Sequence, residues 1–130
     1  NVYTPGINTM TRDEKVAIFM TAYNEERAIG DIIDRIDDAY DVYVVNDGSN
    51  DRTRDICLEK NADVITHVIN LGQGNAVITM FKMMCLLDYD YVIHLDADGQ
   101  HKPEDIPSFL DVFRETGADI VQGSRHMGED

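Results

Sequence analysis

A chain of 130 residues holds one compact domain or a piece of a larger one, and 43% apolar residues are enough for a buried core. Its 25 acidic against 11 basic side chains leave a net charge of −14, which excludes the basic footprint of a nucleic-acid-coating surface. No stretch approaches the roughly 18 consecutive apolar residues of a membrane helix, and any anionic substrate would need a metal or local cations to enter so acidic a chain.

Asn1 to Arg12 lacks a basic region followed by an apolar one, so it does not read as a signal peptide; residues 1–14 are expected to be a flexible leader. Cys57 and Cys85 fall in expected helices and read as small buried hydrophobes rather than a disulfide or zinc framework, which fits a reducing cytoplasm. An acidic, lysine-poor surface is also one lever of adaptation to high salt.

Lys15 to Tyr23 is a continuous apolar run with the length and composition of a strand buried on both faces. Asn24 then offers a helix N-cap, with Glu25 and Glu26 in the first turn, where the helix dipole favours negative charge. Ala28, Ile29, Ile32, Ile33 and Ile36 draw an apolar stripe on a helix ending near Asp38. Tyr40 to Asn46 is a second strand, broken by the turn-forming loop Asp47-Gly48-Ser49-Asn50-Asp51. A helix over Arg52 to Lys60 and a third strand over Asp63 to Ile69 follow, with Arg52, Arg54 and Asp55 expected on a solvated face. The loop Asn70 to Asn75, with Gly72 and Gly74, leads into a helix over Ala76 to Leu87 whose Met80, Phe81, Met83 and Met84 read as core filler. The fourth strand is Tyr91 to Leu95, in which His94 reads as a strand histidine. Pro103, backed by Glu104 and Asp105, starts a helix that buries Ile106, Phe109, Leu110 and Phe113 and stops at Gly117. Asp119 to Gln122 is a fifth strand. Five strands alternating with four helices predict one α/β domain with helices on both faces of a mainly parallel sheet.

The strand over Tyr91 to Leu95 runs into Asp96-Ala97-Asp98-Gly99-Gln100-His101. If the extended backbone continues, Asp96 and Asp98 share a face, and two carboxylates so close repel unless a cation sits between them. Mg²⁺ suits such a pair, because it takes one or two carboxylates plus substrate phosphates. An Asp-rich turn explains the same residues if they are taken alone. His101 stands open between a helix-start residue and a phosphate or acceptor contact. In open α/β sheets ligands bind beyond the carboxyl ends of the strands. There this chain places Tyr23-Asn24-Glu25, Asp47-Gly48-Ser49, Gly72 and Gly74, and Asp96 and Asp98, which turn propensity does not explain. The loops lack the Gly-Lys-Ser/Thr of a phosphate-binding P-loop and the Gly-x-Gly-x-x-Gly dinucleotide fingerprint, leaving a metal-bound nucleotide diphosphate as the ligand that fits.

Five segments in order carry a resemblance: Ala22-Tyr23-Asn24-Glu25-Glu26, Val44 to Thr53, Asn70 to Ala76, Asp96-Ala97-Asp98-Gly99-Gln100, and Gly123-Ser124-Arg125. Together they resemble the family 2 glycosyltransferases of GT-A fold, especially the branch with dolichol-phosphate mannose synthases and polyprenyl-phosphate glucosyltransferases. The family usually has Pro, Asp and Lys where this chain has Thr21, Asn46 and Gln73. The resemblance implies a three-layer α/β/α domain with its first four strands in the order 3-2-1-4. It also implies transfer of a sugar from a UDP- or GDP-sugar, with inversion, to an acceptor such as a polyprenyl phosphate. Thr21, Tyr23, Glu25, Val45, Asp47, Gly72, Asp96, Ala97 and Arg125 would then bind the nucleotide sugar, and Asp96, Asp98 and Gln100 would hold Mg²⁺ or Mn²⁺. The general base is expected beyond Asp130, so residues 15–130 are expected to be the donor-binding part of a longer catalytic domain. Such a protein would sit in the cytoplasm or at the cytoplasmic face of a membrane. Two rival readings stay open on the residues: a receiver-type phosphoacceptor domain and a sugar-phosphate nucleotidyltransferase.

Overall fold

A computed structural model of the chain describes residues 14–97, 102–116 and 120–123. The elements are β1 (Val16–Ala22), α1 (Ile29–Asp34), β2 (Asp41–Asp47), α2 (Thr53–Glu59), β3 (Asp63–His67), α3 (Gln73–Leu86), β4 (Tyr91–Asp96), a single 3₁₀ turn (Pro103–Asp105), α4 (Ile106–Thr116) and β5 (Ile120–Gly123). The strands lie in the order β3-β2-β1-β4-β5, every neighbouring pair parallel. The expected order 3-2-1-4 and the layered α/β architecture are therefore observed.

β1 is the centre because it is apolar along its length and flanked by a strand on each side; all seven of its residues are buried. Alternation divides it between two cores. Val16, Ile18, Met20 and Ala22 pack with Ile29, Ile32 and Ile33 of α1, Cys57 of α2 and Ile106 and Leu110 of α4. Ala17 and Phe19 face the other way, against Ala76 and Met80 of α3. Ile18, Phe19 and Met20 are fully enclosed, and each such side chain contributes about 1.5–3 kcal/mol relative to exposure. The sheet is thus held from both faces, and its carboxyl rim is left for the loops.

Several element boundaries differ from those expected. Asn24 does not cap a helix: it takes a left-handed φ of 55°, and α1 begins five residues later, after a turn in which the Ala28 and Ile29 amides donate to the Glu25 carbonyl. β3 ends at His67 rather than Ile69, leaving Val68 and Ile69 93% and 65% exposed. β2 also ends there, at the Asp47–His67 rung, and the next residue, Gly48, runs backbone to backbone against Ile69 and Asn70. α3 starts at Gln73, three residues early, because Gly72 at φ 98° turns the chain directly into it and the Ala76 amide reaches the Gly72 carbonyl at 3.0 Å. Met80 is buried as expected, whereas Phe81 (41%) and Cys85 are exposed, since both lie on the face of α3 turned from the sheet. α2 ends in a Schellman motif: Asn61 is left-handed, its amide donates to Leu58 and the Ala62 amide to Cys57. Among the described residues no helix is long and apolar enough to cross a membrane. The expected leader (apart from Glu14), the helix stop at Gly117 and His101 lie outside the described residues, as does the Phe113 side chain.

Candidate functional site

The sheet places the conspicuous residues on one rim. Thr21 of β1 is level with Val45 of β2 on one side and with Asp96 of β4 on the other, and Asp47 pairs with His67 one strand further out. At about 4.8 Å per strand, β2 and β4 flank β1 roughly 10 Å apart. The chain runs β1 to β2 in one direction and then crosses to β4 on the other side of β1. That reversal of strand order is where open α/β sheets form a ligand crevice.

The loops on this rim interlock through polar contacts between residues far apart in sequence. The left-handed turn at Asn24 lets its amide donate to Ser49 Oγ at 2.8 Å while its own Oδ1 accepts from the Asn50 amide at 2.8 Å. Next to it the Glu25 amide donates to Thr53 Oγ1 at 2.8 Å and the Glu26 amide to Asp51 Oδ2 at 3.2 Å. Asp51 also accepts from the Thr53 amide at 2.9 Å and from the Thr53 hydroxyl. Burial pushes the Asp51 carboxyl up, but the Thr53 hydroxyl and these amides prevail and hold it below the usual carboxylate range. The two loops therefore form one unit, on which Tyr23 stands 45% exposed and Glu25 half-buried.

Asp47 joins that unit to the next loop. It is 3% exposed, and its two carboxylate oxygens accept from four groups. Oδ1 takes the Leu71 amide at 2.9 Å and His67 Nδ1 at 2.8 Å; Oδ2 takes the Gly72 amide at 2.9 Å and Asn70 Nδ2 at 3.0 Å. Burial opposes its ionisation, yet the Leu71 amide, the His67 ring and the Gly72 amide outweigh it and hold the carboxyl below its ordinary value. An acid saturated in this way sets the path of the Asn70–Gly72 loop and has little capacity left for a ligand of its own.

On the far side of β1, Asp96 closes β4 in extended conformation and is partly exposed, with Ala97 buried behind it in a turn. Glu104 in the 3₁₀ turn receives Arg35, which caps the C-terminal end of α1, through two hydrogen bonds of 2.5 and 2.8 Å. That guanidinium holds the Glu104 carboxyl down at about 2. Asp98, Gln100 and Arg125 lie outside the described residues, and among the described residues no three His, Cys, Asp or Glu side chains form a metal cluster. The partly exposed carboxylate of Asp96 is the hard oxygen donor that fits Mg²⁺ or Mn²⁺.

The structure thus brings Tyr23, Glu25, Asp47, Gly72 and Asp96 to one edge. Thr21, Val45 and Ala97 are 6%, 0% and 3% exposed and form the floor beneath it. Residue types and spacing did not reveal the partners: His67, Asn70, Asp51, Thr53 and the turn at Asn24. Their only local signal is the density of Asn, Asp, Ser and Thr in the loops. At the opposite edge a cavity of about 400 Å³ is lined by Asp37, Asp38, Asp41 and Asp63 against the single cation Lys60, a predominantly acidic lining that disfavours phosphate.

The chain matches the family model described as glycosyl transferase family 2 over residues 17–130. It is 32% identical to the undecaprenyl-phosphate 4-deoxy-4-formamido-L-arabinose transferase of Yersinia pestis, covering 90% of this chain and 38% of that protein. It is 34% identical to the dolichol-phosphate mannosyltransferase of Pyrococcus furiosus, covering 87% and 34%. The fold is like that of Mycobacterium tuberculosis glucosyl-3-phosphoglycerate synthase in complex with Mn²⁺, UDP-glucose and phosphoglyceric acid, with a TM-score of 0.65, 23% identity, and 90% of this chain and 45% of that chain covered. The chain spans half or less of the length of the curated relatives it matches.

Proposed function

Because the chain belongs to glycosyl transferase family 2, we propose that it moves a sugar from a nucleotide-diphosphate donor, a UDP- or GDP-sugar, to an acceptor oxygen, with inversion at the anomeric carbon. Its fold is the GT-A fold, whose strand order it shares. The observation that carries the proposal is the rim itself. Three loops from consecutive strands are locked together by Asp51 and Asp47, beside a β4 that ends in a partly exposed carboxylate level with Thr21.

In this reading Tyr23 and Glu25 meet the base and ribose, and Asp47 acts by holding Gly72 and the loop before it in place. Asp96, with Asp98 and Gln100, would hold Mg²⁺ or Mn²⁺, which when bound neutralises the charge that develops as the diphosphate leaves. Such a cation also answers the −14 charge, which otherwise repels a diphosphate. Arg125 is assigned to the phosphates or the acceptor. We place the group that takes the acceptor's proton outside the described residues. Mycobacterial structures of the fold neighbour with Mn²⁺ or Mg²⁺ and UDP support a divalent ion, and the names of the two relatives support a polyprenyl phosphate acceptor at a membrane face. Nothing favours the receiver-type or nucleotidyltransferase readings; β3 ends in His67 and not in the acid a phosphoacceptor requires.

Calorimetric titration of the full-length protein with UDP and GDP, with and without Mn²⁺, tests this. Metal-dependent binding of one nucleotide is expected, and Asp96→Ala should abolish it. An Asp96→Ala protein that binds nucleotide and Mn²⁺ as the parent does would refute the assignment.

A further inference from the structure

His67 stands at the end of the edge strand β3, 20 residues from Asp47 in sequence, and its ring is only 11% exposed. Both ring nitrogens are engaged: Nδ1 lies 2.8 Å from Asp47 Oδ1 and Nε2 lies 2.8 Å from Thr79 Oγ1 in α3. The carboxylate can only accept, so Nδ1 carries the hydrogen, and Nε2 shares a second hydrogen bond with the Thr79 hydroxyl. A helical Thr hydroxyl ordinarily bonds back to its own helix; here it reaches another element. The result is a partly buried chain, Thr79 to His67 to Asp47, that ties β2, β3 and α3 together below the rim.

We propose that His67 is a positioning residue of the donor site: by holding Asp47 Oδ1 it orients a carboxylate whose other contacts set the Asn70–Gly72 loop. The geometry supports this beyond the single bond. The Leu71 and Gly72 amides meet different oxygens of the same carboxylate, each at 2.9 Å, so the plane of the carboxylate sets both contacts together. Without the ring, Oδ1 keeps only the Leu71 amide while Oδ2 keeps the Gly72 amide and Asn70 Nδ2, so the carboxylate is held by three donors instead of four and its plane is less tightly fixed. His67 meets no ligand in this scheme and acts through Asp47. The inference rests on the donor-site reading for its effect on nucleotide affinity, and on hydrogen bonds alone for its effect on the loop.

The test compares His67→Leu, His67→Asn and Thr79→Val in the full-length chain. Asn places a side-chain N–H near the position of Nδ1 and restores a donor to Asp47; Leu does not. Loss of one hydrogen bond to a charged acceptor changes an opening equilibrium about tenfold. Amide exchange at Leu71 and Gly72 should therefore accelerate by about that factor in His67→Leu, with the dissociation constant for nucleotide and Mg²⁺ rising by about tenfold as well. His67→Asn should recover most of both. Thr79→Val, which leaves the Asp47 contact in place, should move both in the same direction by less and serves if His67→Leu does not fold. Unchanged exchange at both amides would overturn the proposal. So would faster exchange with unchanged nucleotide affinity, or an Asn variant as impaired as the Leu variant. A parent chain that binds neither nucleotide would refute the donor-site reading instead, and the exchange comparison would still decide whether His67 holds the loop.

Discussion

Asp47 shows what one buried acid does for a loop and at which pH it stops doing it. Its carboxyl is held below the ordinary value, so the unfolded chain takes up that proton more readily than the folded one. Its stabilising contribution is therefore complete above the unfolded value and is lost as the pH falls through the lowered folded value. At neutral pH Asp47→Asn should cost about 1.5–3 kcal/mol in urea unfolding, because an amide cannot accept from all four donors with the charge gone. The gap between parent and variant should narrow as the pH falls below the ordinary carboxylate range. A gap that stays constant over that fall would show that the charge on Asp47 contributes nothing. The importance of Asp47 was legible in its place, an acid followed by Gly-Ser at the end of an apolar run. Its partners were not, because they come 20 to 25 residues later and no local pattern announces them.

At the scale of elements, two glycines on the same rim differ in kind. Gly48 and Gly72 both have positive φ, 74° and 98°. A Cβ on Gly48 would stand 2.3 Å from the Asn70 nitrogen, whereas one on Gly72 would meet nothing within 4 Å. Gly72→Ala therefore carries only the backbone strain of about 1–3 kcal/mol, while Gly48→Ala adds a clash between two backbones that has no flexible side chain to yield. Urea denaturation should rank Gly48→Ala well below Gly72→Ala, and equal losses would contradict the close approach of the loops. Strand and helix identities could be read from periodicity, as in Val16–Ala22 and in the Ile29–Ile32–Ile33 stripe. Starts and stops could not wherever a glycine or a left-handed asparagine redirected the chain. Asn24 resembles a cap by type, yet it is used as a turn that delivers its amide to Ser49. Phe81 shares its helix with Met80, but among the described residues α3 packs chiefly against the sheet, so Ile78, Phe81 and Leu86 on its other face remain exposed.

For the molecule as a whole, the parallel sheet was legible because each apolar strand is followed by a helix, and the order β3-β2-β1-β4 follows the family resemblance. That order brings residues from four separate loops to one edge and leaves the acidic cavity walled by Asp37, Asp38, Asp41 and Asp63 at the other. The two edges therefore make opposite predictions for where a nucleotide diphosphate goes. Amide chemical-shift mapping of the full-length protein, titrated with UDP or GDP and diamagnetic Mg²⁺, reads both edges in one experiment. Shifts are predicted at Tyr23, Glu25, Gly48, Gly72, Asp96 and Ala97, with Asp38, Tyr40, Asn61 and Asp63 unmoved. Shifts confined to the second group, or spread evenly over both, would contradict the placement of the donor site on the carboxyl rim.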